Sequence, residues 1–287
     1  MRVTVIGCSG SFAGPSSPAS SYLVQAEFGG RTWSILLDLG SGALGALQRQ
    51  MSPDDLDAVL ITHLHPDHCV DLCGLYVSRR YRPFGPLPAR LPVFGPTGTA
   101  RRLQLMYHGL EPGGMEAEFD IHTVVDAAPI LIGPFTVTPY RVNHPVEAYG
   151  YRVEAGGALL AYTGDTDDCP NLDPLLRGVD LALMDSAFID GRDDVVDIHL
   201  SGSRAARAAL RAGGVQSLVL THIPSWNDPE VCRAQAAMHW PSAVGLAAAD
   251  AVYEILASPV RADLTGNRAA ARGSTPPAVA DLPPVTP

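Results

Sequence analysis

Long apolar runs are missing from this sequence, and so are the features of a secretion signal. A membrane helix needs about 20 consecutive apolar residues, and no run in the chain approaches that length. Residues 1–7 read as a first strand, without the basic region, apolar stretch and small-residue cleavage site of a signal peptide. The sequence therefore predicts a cytoplasmic protein with no membrane partner.

Paired cysteines are also lacking. The chain has five cysteines, an odd number, and no two of them form a Cys-x-x-Cys pair. Scattered cysteines of this kind are usually buried as small apolar side chains. A disulfide framework and a zinc ribbon are therefore not expected.

The sequence has no surplus of positive charge. Lys and Arg total 20 against 30 Asp and Glu, so the formal net charge is −10. Proteins that bind long nucleic acids usually carry a basic surface, because phosphate contacts provide most of their affinity. The charge balance favours a small substrate over a long nucleic acid.

The apolar content is high enough for one large domain. The chain has 287 residues, of which 46% are hydrophobic, and strands alternate with helical segments. This order predicts an α/β protein with two sheets covered by helices, including a strand over residues 58–62 and a helix over about 67–79. We assign residues 1–257 to one domain. Residues 258–287 are rich in Pro and Ala, which predicts a disordered tail.

Residues 62–68 contain the densest group of polar ligand types in the chain. They read THLHPDH and directly follow an apolar run. His63 and His65 are two positions apart, so both side chains point to one side of an extended chain. Asp67 and His68 follow where the chain turns into a helix. Three imidazoles and a carboxylate in so short a stretch predict a metal site.

Three later strands end in the same way. His144, Asp165 and His222 each come just after a separate apolar strand. Ligand types that follow buried strands are expected on one rim of a sandwich of sheets. The rim should therefore carry the motif of residues 62–68 together with these three side chains.

Taken together, these motifs resemble the metallo-β-lactamase superfamily of metallohydrolases, over nearly the whole chain to about residue 256. The resemblance implies an α/β fold of four layers, an αββα sandwich. It also implies two neighbouring metal positions that share one aspartate. The first position takes His63, His65 and His144, the second takes Asp67, His68 and His222, and Asp165 bridges both.

The ligand types also restrict the cofactor. Imidazole and carboxylate suit zinc, manganese or iron(II), and two divalent ions, zinc foremost, are the expected cofactors. A pair of such ions polarises a phosphoryl or carbonyl oxygen and generates hydroxide near neutral pH. Asp67 is, in addition, a catalytic candidate, because either Asp67 or Asp165 could handle the proton of that hydroxide.

Two further residues indicate the type of reaction. Asp185, and His199 within the stretch DIHLSG, resemble the acidic residue and the His-x-Ser/Thr arrangement of the ribonuclease Z-like phosphodiesterases. In that group the histidine contacts the scissile phosphate and an acidic residue orients it. The resemblance implies that His199 stabilises the phosphate or protonates the leaving group, with Asp185 as its orienting partner.

A tRNA-processing nuclease of this group is disfavoured on two counts. Those enzymes often carry a long arm rich in Gly and Pro between the ligand histidine and the bridging aspartate, but here His144 and Asp165 are only about twenty residues apart. After His222 the chain reads IPSW, where the nucleases usually have Phe-Ser-x-Arg. Both departures agree with the acidic net charge.

The sequence looks closer still to the 3′,5′-cyclic nucleotide phosphodiesterases of this fold, in residues 7–11, 14–20, 79–81 and 221–224. We therefore hypothesise a binuclear phosphodiesterase that converts cyclic AMP, or a related cyclic nucleotide, to the 5′-monophosphate. The RRY stretch at residues 79–81 is a candidate contact to phosphate or base. The alternatives are a ribonuclease Z-like RNA endonuclease and an ester, thioester or lactone hydrolase. Relatives are often homodimers, which alone supports a dimer here.

Overall fold

The computed structural model of the protein describes residues 1–83, 85–110 and 112–257. The tail predicted for residues 258–287 lies outside the described residues. Across those three ranges, no helix has both the length and the apolar character to cross a membrane. All five cysteines are free, which confirms that the chain has no disulfide framework.

The first sheet is formed mainly by the first half of the chain. Its strands, in spatial order, are β14 (Val252–Glu254), β1 (Arg2–Gly7), β2 (Ser21–Phe28), β3 (Arg31–Leu37), β4 (Ala58–Leu60), β5 (Leu91–Gly95) and β6 (Phe119–Thr123). The pairs from β3 to β6 are parallel, whereas β14, β1, β2 and β3 pair antiparallel.

The second sheet is formed by the second half of the chain. Its strands, in spatial order, are β13 (Val244–Leu246), β12 (Ser217–Thr221), β11 (Leu181–Asp185), β10 (Ala158–Tyr162), β9 (Tyr149–Ala155), β8 (Phe135–Arg141) and β7 (Ile130–Ile132). The pairs from β10 to β13 are parallel and the others are antiparallel.

Short helices cover the outer face of each sheet. The helices of the first half are α1 (Ala43–Leu47), α2 (Pro66–Cys69), α3 (Leu72–Arg80) and α4 (Thr99–Tyr107), and a 3-10 turn spans Pro53–Asp55. The helices of the second half are α5 (Leu172–Leu176), α6 (Gly202–Ala212) and α7 (Pro229–Ala237).

Three buried apolar clusters hold these layers together. In β10, Leu160 and Tyr162 pack between the two sheets, whereas Leu159 and Ala161 pack against the helices of the second half. Side chains alternate in this way because successive residues of a strand point to opposite faces. The third cluster joins the first sheet to α1, α3 and α4. The predicted four-layer αββα sandwich is confirmed.

The sheet topology brings several strand ends to one rim. β10, β11 and β12 run parallel in register, with Asp185 opposite Thr221. The carboxyl ends of parallel strands lie on the same edge of a sheet, and open α/β folds place their ligands there. Asp165 and His222 follow β10 and β12 directly, so both lie at this edge.

The helix predicted over residues 67–79 is in fact two helices, α2 and α3. The break is fixed by the loop after β3: the N–H of Leu39 donates to the carbonyl of His68 (2.8 Å), and the N–H of Asp71 donates to the carbonyl of Leu39 (3.2 Å). The carboxylate of Asp71 also accepts the N–H of Leu44 (2.9 Å). These contacts between distant segments interrupt the helix and hold α2 at the rim.

Candidate metal centre

Seven side chains with metal-ligand character meet at the rim. They form two groups, and within each group one ligand atom per residue lies within 4.8 Å of the others. The groups are His63, His65, His144 and Asp165, and Asp67, His68, Asp165 and His222. The structure thus brings together every residue predicted as a metal ligand, and it places Asp165 in both groups.

The first group gathers ring nitrogens from two loops. Nε2 of His63 lies 2.9 Å from Nδ1 of His65, which in turn lies 3.2 Å from Nε2 of His144. Nδ1 of His144 donates to the carbonyl of Ile198 (2.9 Å), so its Nε2 keeps a free lone pair. Without a cation, ring nitrogens at these distances can hydrogen-bond to one another, and with a cation they are close enough to serve as its ligands.

The second group is centred on the two oxygens of Asp165. Oδ1 lies 3.1 Å from Nε2 of His68, and Oδ2 lies 3.1 Å from Nε2 of His222 and 3.6 Å from Nε2 of His63. Asp67 approaches the same Nε2 of His68 at 3.3 Å. Since its oxygens face His68 and His222 of the second group and His63 of the first, Asp165 lies between the two groups.

The buried carboxylate of Asp38 organises the second group from behind. It accepts the N–H of Thr62 (2.7 Å) and the hydroxyl of Tyr162 (2.8 Å), and it lies 2.7 Å from Nδ1 of His68. A carboxylate at one ring nitrogen fixes the tautomer and leaves the other nitrogen free for a metal. β4 ends at Leu60, two residues earlier than predicted. The N–H of Thr62 bonds to the carboxylate of Asp38 and not to a neighbouring strand.

The buried carboxylates of the cluster stabilise positive charge on the groups beside them. Burial lowers the pKa of His68, but the carboxylates of Asp165, Asp38 and Asp67 raise it well above its ordinary value. Burial raises the pKa of Asp165, yet the imidazoles of His222, His68 and His63 hold it well below its usual range. A bound divalent cation would supply the charge that the carboxylates otherwise draw from His68.

Two unpartnered atoms test whether the residues fit a metal. Nε2 of His68 and Oδ1 of Asp165 are buried and face each other at 3.1 Å, but neither has a partner with the geometry of a hydrogen bond. A buried polar atom without a partner costs free energy, so such atoms are rare in folded proteins. Both atoms point into the cluster, and imidazole with carboxylate is a donor set suited to zinc, manganese or iron(II). The residues therefore fit a metal centre.

His199 lies beside the cluster and is held by Asp185. Nδ1 of His199 lies 2.8 Å from Oδ2 of Asp185, and the Asp185 carboxylate also accepts the N–H groups of Thr166 and Ala187, both at 3.0 Å. Burial lowers the pKa of His199, but Asp185 raises it to about 9. The pairing expected for these two residues is present, and it directs Nε2 of His199 away from Asp185.

Close backbone packing sets the position of the ligand loops. A Cβ atom on Gly40 would lie 1.9 Å from the carbonyl oxygen of Asp67, so only glycine allows this approach without movement. Nδ1 of His222 lies 2.9 Å from the hydroxyl of Ser20.

Sequence reasoning assigned no role to Asp38 or Ser20. The signal for Asp38 was its place at the end of a strand, before the glycine-rich turn of residues 40–42.

The RRY stretch predicted to reach the substrate is engaged elsewhere. Arg79 is buried and donates to the carbonyl of Ala89, and Arg80 forms an ion pair with Glu118 (2.8 Å). These partners hold both guanidinium groups in contacts within the first half of the chain. Burial excludes Arg79 as a contact to phosphate, whereas Arg80 is partly exposed and Tyr81 is exposed, and their contact with phosphate or base stays a prediction.

Comparisons with known proteins give matches over most of the chain. The sequence profile of the beta-lactamase superfamily domain matches residues 34–223. An uncharacterized protein of Mycobacterium tuberculosis is 41% identical over 258 residues, which are 89% of this chain and 92% of that protein. A ribonuclease Z of Mycolicibacterium paratuberculosis is 32% identical over 272 residues, covering 86% of this chain and 95% of that protein.

A solved structure is similar over the same length. The metallo-beta-lactamase fold protein YhfI from Bacillus subtilis superposes with a TM-score of 0.77 at 28% sequence identity, over 88% of this chain and 99% of that one. The profile match begins in β3 and ends just after His222, so it spans all seven residues of the cluster.

Proposed function

Since this chain belongs to the beta-lactamase superfamily and is a metallohydrolase, we propose that it is a phosphodiesterase that hydrolyses 3′,5′-cyclic nucleotides, cyclic AMP foremost, to 5′-monophosphates. The observation that carries the proposal is the pair of His199 and Asp185 beside the metal cluster. An ester or thioester hydrolase has no need of this histidine. Cleavage of a phosphodiester gains from a positioned proton donor at the leaving oxygen.

We further propose that the centre takes two divalent ions, zinc foremost. One position would use His63, His65 and His144, the other Asp67, His68 and His222, with Asp165 shared. The bound ions would polarise the phosphoryl group and supply a nucleophile near neutral pH. An oxygen of Asp67 lies 3.3 Å from Nε2 of His68, and we propose that Asp67 also accepts the proton of the nucleophile.

The residues of the chain then account for the rest of the reaction. Hydrolysis adds one water, breaks the bond between phosphorus and the 3′ oxygen, and leaves that oxygen in need of a proton. His199 is buried at the edge of the cluster and has a pKa raised to about 9, so it carries a proton near neutral pH. We propose that Nε2 donates this proton, while Asp185 holds the ring through Nδ1.

Two features favour a small substrate. The segment between His144 and Asp165 is formed mainly by β9 and β10. These strands pair with each other, and β9 also pairs with β8, so the segment contains no arm that could bind tRNA. The net charge of −10 also disfavours a long polyanion. A small cyclic phosphodiester meets both conditions.

A substrate screen tests the proposal. Metal-reconstituted protein is assayed with 3′,5′-cyclic AMP, 3′,5′-cyclic GMP, 2′,3′-cyclic nucleotides, bis(p-nitrophenyl) phosphate and a tRNA precursor. We expect turnover of a 3′,5′-cyclic nucleotide, with the 5′-monophosphate as product. Cleavage of the tRNA precursor without turnover of any cyclic nucleotide would overturn the proposal in favour of a ribonuclease Z-like activity.

A further inference from the structure

Two large aromatic side chains form an exposed pair that the catalytic centre leaves unused. The rings of Phe12 and Trp226 lie with their centroids 4.9 Å apart and their planes tilted by 41°. Phe12 is 39% exposed and Trp226 is 64% exposed. Exposed aromatic side chains that pack against each other are typical of ligand-binding surfaces.

The pair is attached to the metal centre through both of its loops. The backbone nitrogen of Ser11, next to Phe12, lies 3.4 Å from Nε2 of His222. This Nε2 is the atom that faces Asp165, so the loop that carries Phe12 borders the cluster itself. Trp226 follows His222 by four positions, and the N–H of Gly10 donates to the carbonyl of Ile223 (3.2 Å), which joins the two loops.

The loop of Trp226 is fixed on its other side to the segment around His199. The side-chain amide of Asn227 donates to the carbonyl of Ala187 (2.8 Å). Phe188, which follows Ala187, packs edge-on against the ring of His199, with centroids 5.1 Å apart. The aromatic pair and the proposed proton donor therefore lie on segments that contact one another.

We propose that Phe12 and Trp226 form the platform that binds the base of the nucleotide substrate; this inference rests on the proposed function and names its recognition element. His222 and His68 are buried, so the ribose and base of a substrate held by its phosphate would extend toward solvent. The loops that carry the exposed rings of Phe12 and Trp226 adjoin His222 through Ser11 and Ile223. Purine rings stack on aromatic side chains, and stacking tolerates different bases.

Binding of two related ligands tests the platform. 5′-AMP and ribose 5-phosphate share the phosphate and sugar, and they differ in the base. We expect metal-loaded wild-type protein to bind 5′-AMP at least about 10-fold more tightly, since a stacked base contributes on that scale. The double variant Phe12→Leu with Trp226→Leu should lose that preference and bind ribose 5-phosphate as the wild type does. Calorimetry measures both affinities.

Phe28→Leu is the matched control. Phe28 is 60% exposed, like the residues under test, but it lies at the far end of β2 from Ser20 and His222. This variant should keep the preference for 5′-AMP. Thermal unfolding of each variant checks that the fold is intact.

The outcomes separate the platform from the phosphodiesterase. Equal affinities of the wild type for 5′-AMP and ribose 5-phosphate, or an unchanged preference in the double variant, would overturn the platform. Turnover supplies a second readout: the double variant should raise KM for cyclic AMP about 10-fold and leave kcat nearly unchanged. An unchanged KM also overturns the platform but leaves the phosphodiesterase standing, whereas a wild type without cyclic nucleotide turnover overturns the phosphodiesterase.

Discussion

At the scale of single residues, the centre depends on which nitrogen of each histidine is free. His68 and His144 present Nε2 because their Nδ1 atoms are bonded to Asp38 and to the carbonyl of Ile198. His199 has the same arrangement, with Asp185 at Nδ1. In all three residues an oxygen atom at Nδ1 orients the ring, so that Nε2 of two candidate ligands and one candidate proton donor faces the cluster.

Replacement of His199 tests its role directly. We expect His199→Ala to lower kcat for a cyclic nucleotide by about 10²–10⁴-fold, the range of general acid–base catalysis. The metal content should stay unchanged, because His199 belongs to neither ligand group. Steady-state kinetics and elemental analysis measure the two quantities. His122→Ala, at an exposed histidine paired with Asp120, serves as the control. Full activity of His199→Ala would show that His199 has no part in the mechanism.

Asp38 is expected to act on metal binding from behind His68. Asp38→Asn keeps the size of the side chain but loses the negative charge beside Nδ1. We expect metal affinity to fall by about 10–100-fold, as is usual when a residue that orients a metal-ligand histidine is changed. Competition with a chelator measures the affinity. Asp57→Asn, at a carboxylate paired with exposed Arg31, should bind metal normally, and equal losses in both variants would contradict the prediction.

At the scale of elements, the strands supply a rigid rim and the loops supply the chemistry. β10, β11 and β12 end in register, and each is followed by or ends in a candidate site residue: Asp165, Asp185 and His222. The first sheet contributes His63 to His68 through the short β4 and the small helix α2. Because the ligand loops come from both sheets, their close packing decides whether the two groups meet.

A pair of glycine substitutions tests how the loop after β3 packs against α2, a contact within the first half of the chain that positions Asp67 and His68. Gly40→Ala would place Cβ 1.9 Å from the carbonyl of Asp67, and we expect the free energy of unfolding to fall by about 1–3 kcal/mol, as for other overpacked sites. Gly45→Ala in α1 meets no atom within 4 Å, and it should be neutral or stabilise by up to about 1 kcal/mol. Urea unfolding measures both. Equal effects would show that the contact at Gly40 is not limiting.

At the scale of the whole molecule, the centre joins the two sheets across the sandwich. His63, Asp67 and His68 belong to loops of the first sheet, whereas His144, Asp165 and His222 belong to loops of the second. A bound metal therefore links both halves of the fold. Anything that binds the native state and not the unfolded chain adds to stability.

Removal of the metal should lower stability for this reason. At free metal about 100-fold above the dissociation constant, the gain in free energy is about 2.7 kcal/mol per site. We expect a chelator to lower the melting temperature and zinc to restore it. Asp165→Asn should show a much smaller zinc-dependent shift, because the shared carboxylate is lost from both groups. A wild-type melting temperature that does not respond to the chelator would contradict metal binding at this rim.

The sequence by itself determined the fold class and the set of candidate ligands. Both follow from local order: the apolar strands are contiguous, and each ligand type stands directly after one of them. Tertiary structure decided the rest. It paired Asp38 with His68, divided the predicted helix into α2 and α3, turned Arg79 and Arg80 to other partners, and joined Phe12 to Trp226. Each of these contacts joins residues from separate segments, and local periodicity carries no information about which segments meet.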